Sequence, residues 1–215
     1  MRDNRKNLPI KIRVALKELP HKCERVLLVP EDITMRQLHF VIQEAMSWTN
    51  SHLFEFLPEK FKASLAVGIE NDYDYIFVKT TDANKGRLKE AFLQDRVGRP
   101  FWYEYDFGDG WMHRITFLKV TSRDKEVFVG FPLCLKAVAK CPPEDCGGRW
   151  GYADFLEAIK DKKHPEYKEN REWIGLEPGE EYDETEVSLE NINKLLLDLA
   201  ISKFWKSQLY SIYDL

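Results

Sequence analysis

Residues 10–16 read IKIRVAL, so Ile10, Ile12, Val14 and Leu16 alternate with Lys11, Arg13 and Ala15. A period of two predicts a strand with one buried and one wet face. A turn around Leu19-Pro20-His21 leads to a second strand over residues 25–29, closed by Pro30. The two are expected to pair antiparallel. The pattern then changes to helical spacing: Met35, Leu38, Val41, Ile42, Ala45 and Met46 form one apolar stripe. Thr34 with Gln37 supplies a capping box at its start, and Ile33 with Leu38 the positions of a hydrophobic staple. This helix is expected to end near residues 48–50, with His39 off the stripe as an exposed or rim histidine.

Short strands are expected over residues 52–56, 61–69 and 73–78, then a loop at 80–90 and a helical turn at 88–92. After residue 118, a polar turn at 121–125 and strands at 126–131 and 133–138 are expected. Tyr152, Phe155, Leu156 and Ile159 then make a helical face. Pro165 suits the first position of a helix reaching residues 173–174, stopped by Gly175, and Ser188 can cap a last helix carrying Leu189, Ile192, Leu195, Leu196 and Leu199. Glu177 to Glu186 reads as a solvated acidic connector. The order predicts an α+β fold: a mainly antiparallel sheet, one early helix, and a C-terminal group of helices packed against it. A single domain over residues 1–215 is expected, sheet-rich over 1–140 and helical over 150–210.

The densest stretch, residues 101–118, reads FWYEYDFGDGWMHRITFL. Phe101, Tyr103, Tyr105 and Phe107 fall on one face before Gly108-Asp109-Gly110, and Trp111, His113, Ile115 and Phe117 alternate after it. That is a hairpin pattern with an Asp-Gly turn signal. Register decides its chemistry. An even-length loop places Asp106 beside His113, whereas a three-residue loop separates them onto opposite faces. The even loop is expected. Asp106 would then orient His113, with Asp109 a second carboxylate at the turn; structurally, the same residues make a buried aromatic hairpin with a cross-strand Asp–His contact. Asp106-Phe107-Gly108 matches the metal-binding triplet of kinases, but neither the glycine-rich nucleotide loop nor the catalytic loop of that fold precedes it.

The second dense segment is CPPEDCGGRWGY at residues 141–152. Cys134, Cys141 and Cys146 with His113 could form a thiolate–imidazole zinc site, or the cysteines could be small buried hydrophobes in a rigid loop. A helix starting near Gly151 would aim its amides at this loop, where an anion could bind. The hairpin turn and the 141–148 loop are expected to close into one cleft holding Asp109, Glu144 and Asp145.

The chain has 215 residues, 44% hydrophobic and 32% charged, with net charge −4. Such a balance disfavours a general nucleic-acid coat, which needs a basic footprint. Without a signal-type apolar run or a membrane-length apolar stretch, a cytoplasmic protein with no membrane partner and four reduced cysteines is expected.

At these segments the sequence resembles the plasmid pRiA4b ORF-3-like family, also called an insertion-element passenger protein family. The residues are Tyr103, Tyr105, Asp106, Phe107, Gly108, Asp109, Trp111 and His113, then the block 141–148 with Gly151-Tyr152. An N-terminal block matches too: Val29-Pro30, Ile33-Thr34, Leu38-His39, Ile42-Gln43, Trp48, Asn50 and His52-Leu53. The family's Ile-Trp-Arg-Arg segment is replaced by HKCERVLL; Arg25 corresponds, but the tryptophan is absent. The resemblance implies an α+β fold, a link to mobile DNA, and no established activity.

Two functions remain open. One is a binding or accessory domain presenting Tyr103, Tyr105, Trp111, Glu144 and Asp145 to a protein, peptide or nucleic-acid partner. The other is a metal-assisted hydrolase or nuclease-like enzyme using Asp106, Asp109 and His113 with a divalent metal as cofactor.

Overall fold

The structure is a computed structural model that describes residues 8–60, 67–68, 81–93 and 99–206. Its strands are β1 (Pro9–Leu16), β2 (Cys23–Pro30), β3 (Phe54–Leu57), β4 (Val67–Gly68), β5 (Thr81–Asp82), β6 (Phe101–Tyr105), β7 (Trp111–Leu118) and β8 (Leu133–Val138). They form one sheet in the order β5-β4-β3-β6-β7-β1-β2-β8. Every pairing is antiparallel except β4 with β5. With its helices this makes an α+β fold. The strand expected over 73–78 lies outside the described residues, and of that over 61–69 only β4 is described.

The core follows the alternation. Ile10, Ile12, Val14 and Leu16 are all buried, and α1 (Met35–Met46) buries its whole apolar stripe. Its capping box is formed: Gln37 N donates to Thr34 Oγ1 at 3.1 Å and Thr34 N to Gln37 Oε1 at 3.0 Å. A cap of this kind contributes about 1 kcal/mol. Ser47, in left-handed backbone at φ 65, ends the helix. Later helices are α2 (Ser122–Val127), α3 (Gly148–Lys160), α4 (Tyr167–Trp173), α5 (Leu189–Ile201) and α6 (Lys203–Lys206). Ser188 caps α5 by accepting from Asn191 N at 3.1 Å, and α5 packs on both α1 and β8. A π-helical turn at Lys89–Leu93 occupies the region of the expected helical turn.

Three expectations are corrected. Residues 121–131 hold no strand but α2, because Thr121 and Asp124 form a second capping box, with Thr121 N donating to Asp124 Oδ2 at 2.7 Å. His39 is not at the rim: it is 1% exposed and its ring stacks on Phe54 at 3.6 Å between centroids. The third is the hairpin register. Tyr103 faces His113 and Tyr105 faces Trp111, so the loop is odd and holds residues 106–110. Asp106 makes this loop. Its backbone is left-handed at φ 56, its carbonyl accepts from Gly110 N at 2.6 Å, and its Oδ1 accepts from Gly108 N at 2.9 Å and Asp109 N at 3.3 Å. An Asp side chain closing its own turn competes with the two-residue Asp-Gly turn, and here it wins.

Candidate functional site

The odd loop removes His113 from any pair with Asp106. On β7, His113 is fully buried, and its Nδ1 faces the carbonyls of Trp111 at 3.0 Å and Tyr103 at 3.3 Å. Both are acceptors, so the ring carries its proton on Nδ1. The expected binding aromatics Tyr103, Tyr105 and Trp111 are buried too, because β6 and β7 turn that face into the core. They make no open recognition surface.

Their polar ends shape a loop instead. Gln43 Nε2 donates to Tyr103 Oη at 2.9 Å, so the Tyr103 hydroxyl donates to His39 Nδ1 at 2.7 Å. His39 Nε2 then donates to Asn50 Oδ1, and Asn50 N donates back to Gln43 Oε1 at 3.1 Å. This closed ring holds Asn50 in left-handed backbone, at φ 60, and sets the course of residues 47–52. Burial of a satisfied network favours one conformation of that loop.

The 141–148 loop docks on it. Trp48 Nε1 donates to the Pro142 carbonyl at 2.9 Å. Glu144 Oε2 accepts from Thr49 N at 2.9 Å and from the Thr49 hydroxyl, while its Oε1 accepts from Tyr105 Oη at 2.5 Å. Burial first, then the Glu144 carboxylate, hold the Tyr105 phenol above its ordinary range, so the proton stays on Tyr105. Gly148 presses against the hairpin turn: a Cβ on it would lie 2.5 Å from the Asp109 carbonyl oxygen.

Where the three loops meet, one imidazole and two carboxylates converge. His52 Nε2 lies 3.1 Å from Asp145 Oδ1 and 3.7 Å from Asp106 Oδ2. The ligand atoms all fall within 4.8 Å of one another, and no other His/Cys/Asp/Glu group of this kind occurs among the described residues. Asp106 divides its labour, since Oδ1 ties the turn while Oδ2 faces the cluster. Side-chain exposure rises from 11% at Asp106 through 28% at His52 to 71% at Asp145, so the cluster opens to solvent on one side. Although His52 Nε2 is within ion-pair distance of both acids, it makes no aligned hydrogen bond. As the Nδ1–H tautomer, the ring would turn a lone pair toward both oxygens, as a shared cation requires.

Of the sequence candidates, Asp106 and Asp145 join the cluster; Glu144 locks the loop; Asp109 supplies the backbone contact to Gly148, and its Oδ2 is buried without a partner among the described residues. The thiolate–imidazole zinc site does not assemble. Cys134 Sγ donates to the Lys136 carbonyl at 3.3 Å, Cys146 Sγ lies 4.0 Å from the Gly148 carbonyl, and Cys141 Sγ meets Cys23 Sγ. Burial pushes the Cys134 thiol up to about 11 and the Cys146 thiol up to about 12, which disfavours the thiolate a metal needs. Sequence reasoning missed His52. Its signal was position: it follows Asn50, whose left-handed preference marks a sharp turn after a helix.

Burial holds His39 down to about 3 and His113 down to about 4, against an ordinary 6.5. Both stay neutral when folded and take up protons on unfolding. Their contribution is complete above pH 6.5 and is lost progressively as the pH falls from there to about 4 for His113 and about 3 for His39, at up to about 1.4 kcal/mol per pH unit for each ring. Thermal melts at pH 7.5 and 5.0 should show a marked drop at the lower pH; equal midpoints would contradict the buried neutral assignment.

No helix among the described residues is long and apolar enough to cross a membrane. The chain is 37% identical over 191 residues to "Uncharacterized protein y4hQ" of Sinorhizobium fredii, covering 89% of this chain and 92% of that one. It is also similar to a crystal structure titled "Protein of Unknown Function MM3350 from Methanosarcina mazei Go1". There the TM-score is 0.68 at 28% identity, covering 85% of this chain and 96% of that one. The family model described as "Plasmid pRiA4b ORF-3-like protein" matches residues 9–191, a span that holds the sheet, the three converging loops and the cluster. The chain therefore belongs to the plasmid pRiA4b ORF-3-like family.

Proposed function

We propose that this protein is a cytoplasmic binding or accessory domain whose working part is a divalent-cation centre built by His52, Asp106 and Asp145. The convergence of one nitrogen and two carboxylate oxygens within 4.8 Å, from three separate loops, carries the reading. That donor set suits manganese, zinc or ferrous iron. Three protein donors leave coordination positions open, and a carboxylate or phosphate of a protein or nucleic-acid partner would fill them. Phe107 and Trp150 stand 51% and 70% exposed on the hairpin turn and on the first turn of α3, the two segments joined at Gly148, and Arg149 is stacked on Trp150 at 4.6 Å. They give such a partner aromatic and cationic contacts. In this reading the chain acts as one domain, and the plasmid-derived family name suggests a mobile-element setting.

The open positions also favour a second reading, a metal-assisted hydrolase in which the ion activates water or clamps a phosphate. Here the metal would supply the Lewis acidity, and His52, Asp106 and Asp145 would hold it.

Calorimetric titration with Mn²⁺ tests the centre. Wild type should bind one ion, and Asp145→Asn should weaken binding by more than about tenfold, since even outer partners of a metal ligand are worth that much. Asp145 lies in left-handed backbone that asparagine tolerates, so the melt should hardly move. Equal affinity in both proteins would sink the centre. Mn²⁺-dependent cleavage of bis-p-nitrophenyl phosphate, lost in the same variant, would select the hydrolase; binding without cleavage selects the accessory domain.

A further inference from the structure

A cysteine pair lies outside the cluster. Cys23, at the start of β2, and Cys141, at the start of the docking loop, are 118 residues apart in sequence with their Sγ atoms at 3.3 Å. Both are free thiols. The Arg25 guanidinium is buried beside them. Its hydrogen bonds go to the carbonyls of Ala45, Glu24 and Val138 and, through Nη2 at 3.5 Å, to Cys141 Sγ. A cation facing sulfur favours thiolate. Cys141 also lines a cavity of about 580 Å³ with Arg25, Met46, Trp48 and Glu144, so a small oxidant can reach it. Cys23 is buried behind it.

We propose that Cys23 and Cys141 are a redox-modification site, closed to a reversible disulfide by hydrogen peroxide. This rests on the sulfur pair alone and stands whether or not the cation centre exists. The hydrogen bond from Cys141 lowers the Cys23 thiol, and burial raises the Cys141 thiol, so the first thiolate forms on Cys23. As Cys141 sulfur attacks peroxide, its proton passes to Cys23, an S–O bond forms, the O–O bond breaks, and hydroxide leaves. Cys23 sulfur then attacks the Cys141 sulfenic acid: the S–S bond forms, the S–O bond breaks, and the departing hydroxide takes the Cys23 proton as water. Two thiolate-level sulfurs are oxidised by two electrons in total, and one peroxide is reduced. The product ties β2 to the loop that carries Glu144 and Asp145.

Wild-type protein treated with a few equivalents of peroxide, alkylated, digested and mapped by mass spectrometry tests this without any variant. The expected result is one Cys23–Cys141 crosslinked peptide, two alkylated cysteines at 134 and 146, and recovery of four thiols after dithiothreitol. Cys141→Ser should leave Cys23 unlinked to any other cysteine. Four thiols surviving peroxide, or a disulfide formed by Cys134 or Cys146 instead, would overturn the proposal.

Discussion

Replacing Gly148 with alanine is expected to destabilise the protein by about 2–5 kcal/mol and to abolish Mn²⁺ binding. Gly148 has φ +65, which costs any L side chain, and its added Cβ would sit 2.5 Å from the Asp109 carbonyl oxygen. The atom it would meet is backbone, so no flexible side chain can swing aside. The start of α3 and the hairpin turn would separate, carrying Asp145 away from Asp106. Gly130 is the control. It has φ +94 with nothing within 4 Å of an added Cβ, so Gly130→Ala should cost only backbone strain, about 1–2 kcal/mol, and leave Mn²⁺ binding intact. Urea unfolding and metal titration of both variants measure the difference. Equal losses would show that the close approach carries no weight.

The Arg25→Met variant should lose about 2–6 kcal/mol. Its guanidinium ties β2 to α1 through the Ala45 carbonyl at 2.7 Å and to β8 through the Val138 carbonyl at 3.0 Å. Methionine fills much of the volume but leaves those carbonyls in the interior without their donor, a cost of about 1–3 kcal/mol for each unsatisfied group. Arg25→Lys should recover only part, because an ammonium cannot span the same fork of acceptors. A loss under about 1 kcal/mol for Arg25→Met would show that water replaces the donor and that the fork is not structural.

The local parts of this fold were legible because local rules decided them. The alternation of β1, the capping box and stripe of α1 and the Ser188 cap each need only a few neighbouring residues, and each is present. The Thr121–Asp124 box obeys the same rule, but the polar composition of residues 121–125 reads equally well as a turn before a strand at 126–131. The hairpin was legible as a hairpin but not in register, since two turn chemistries compete for the residues 106–110, and one residue of slip moves His113 to a different set of neighbours. The glycines and carboxylates of the hairpin turn and the 141–148 loop suggested that the two meet, and they do: Asp106 and Asp145 share one cluster, and Gly148 packs on the Asp109 carbonyl. Local pattern could not tell a core histidine from one that joins the loop cluster. His113 and His52 differ only in what surrounds them after folding, and that is settled by strand pairing and by the Gln43–Tyr103–His39–Asn50 ring. The Cys23–Cys141 contact spans 118 residues and leaves no local trace.

The most direct test of the cation centre is an anomalous difference map from a crystal soaked in manganese chloride. A peak bonded to His52 Nε2, Asp106 Oδ2 and Asp145 Oδ1, at the roughly 2.0–2.2 Å expected for nitrogen and oxygen ligands of such ions, is the predicted result. A fully soaked crystal with no peak there, or with manganese held only elsewhere, would contradict it.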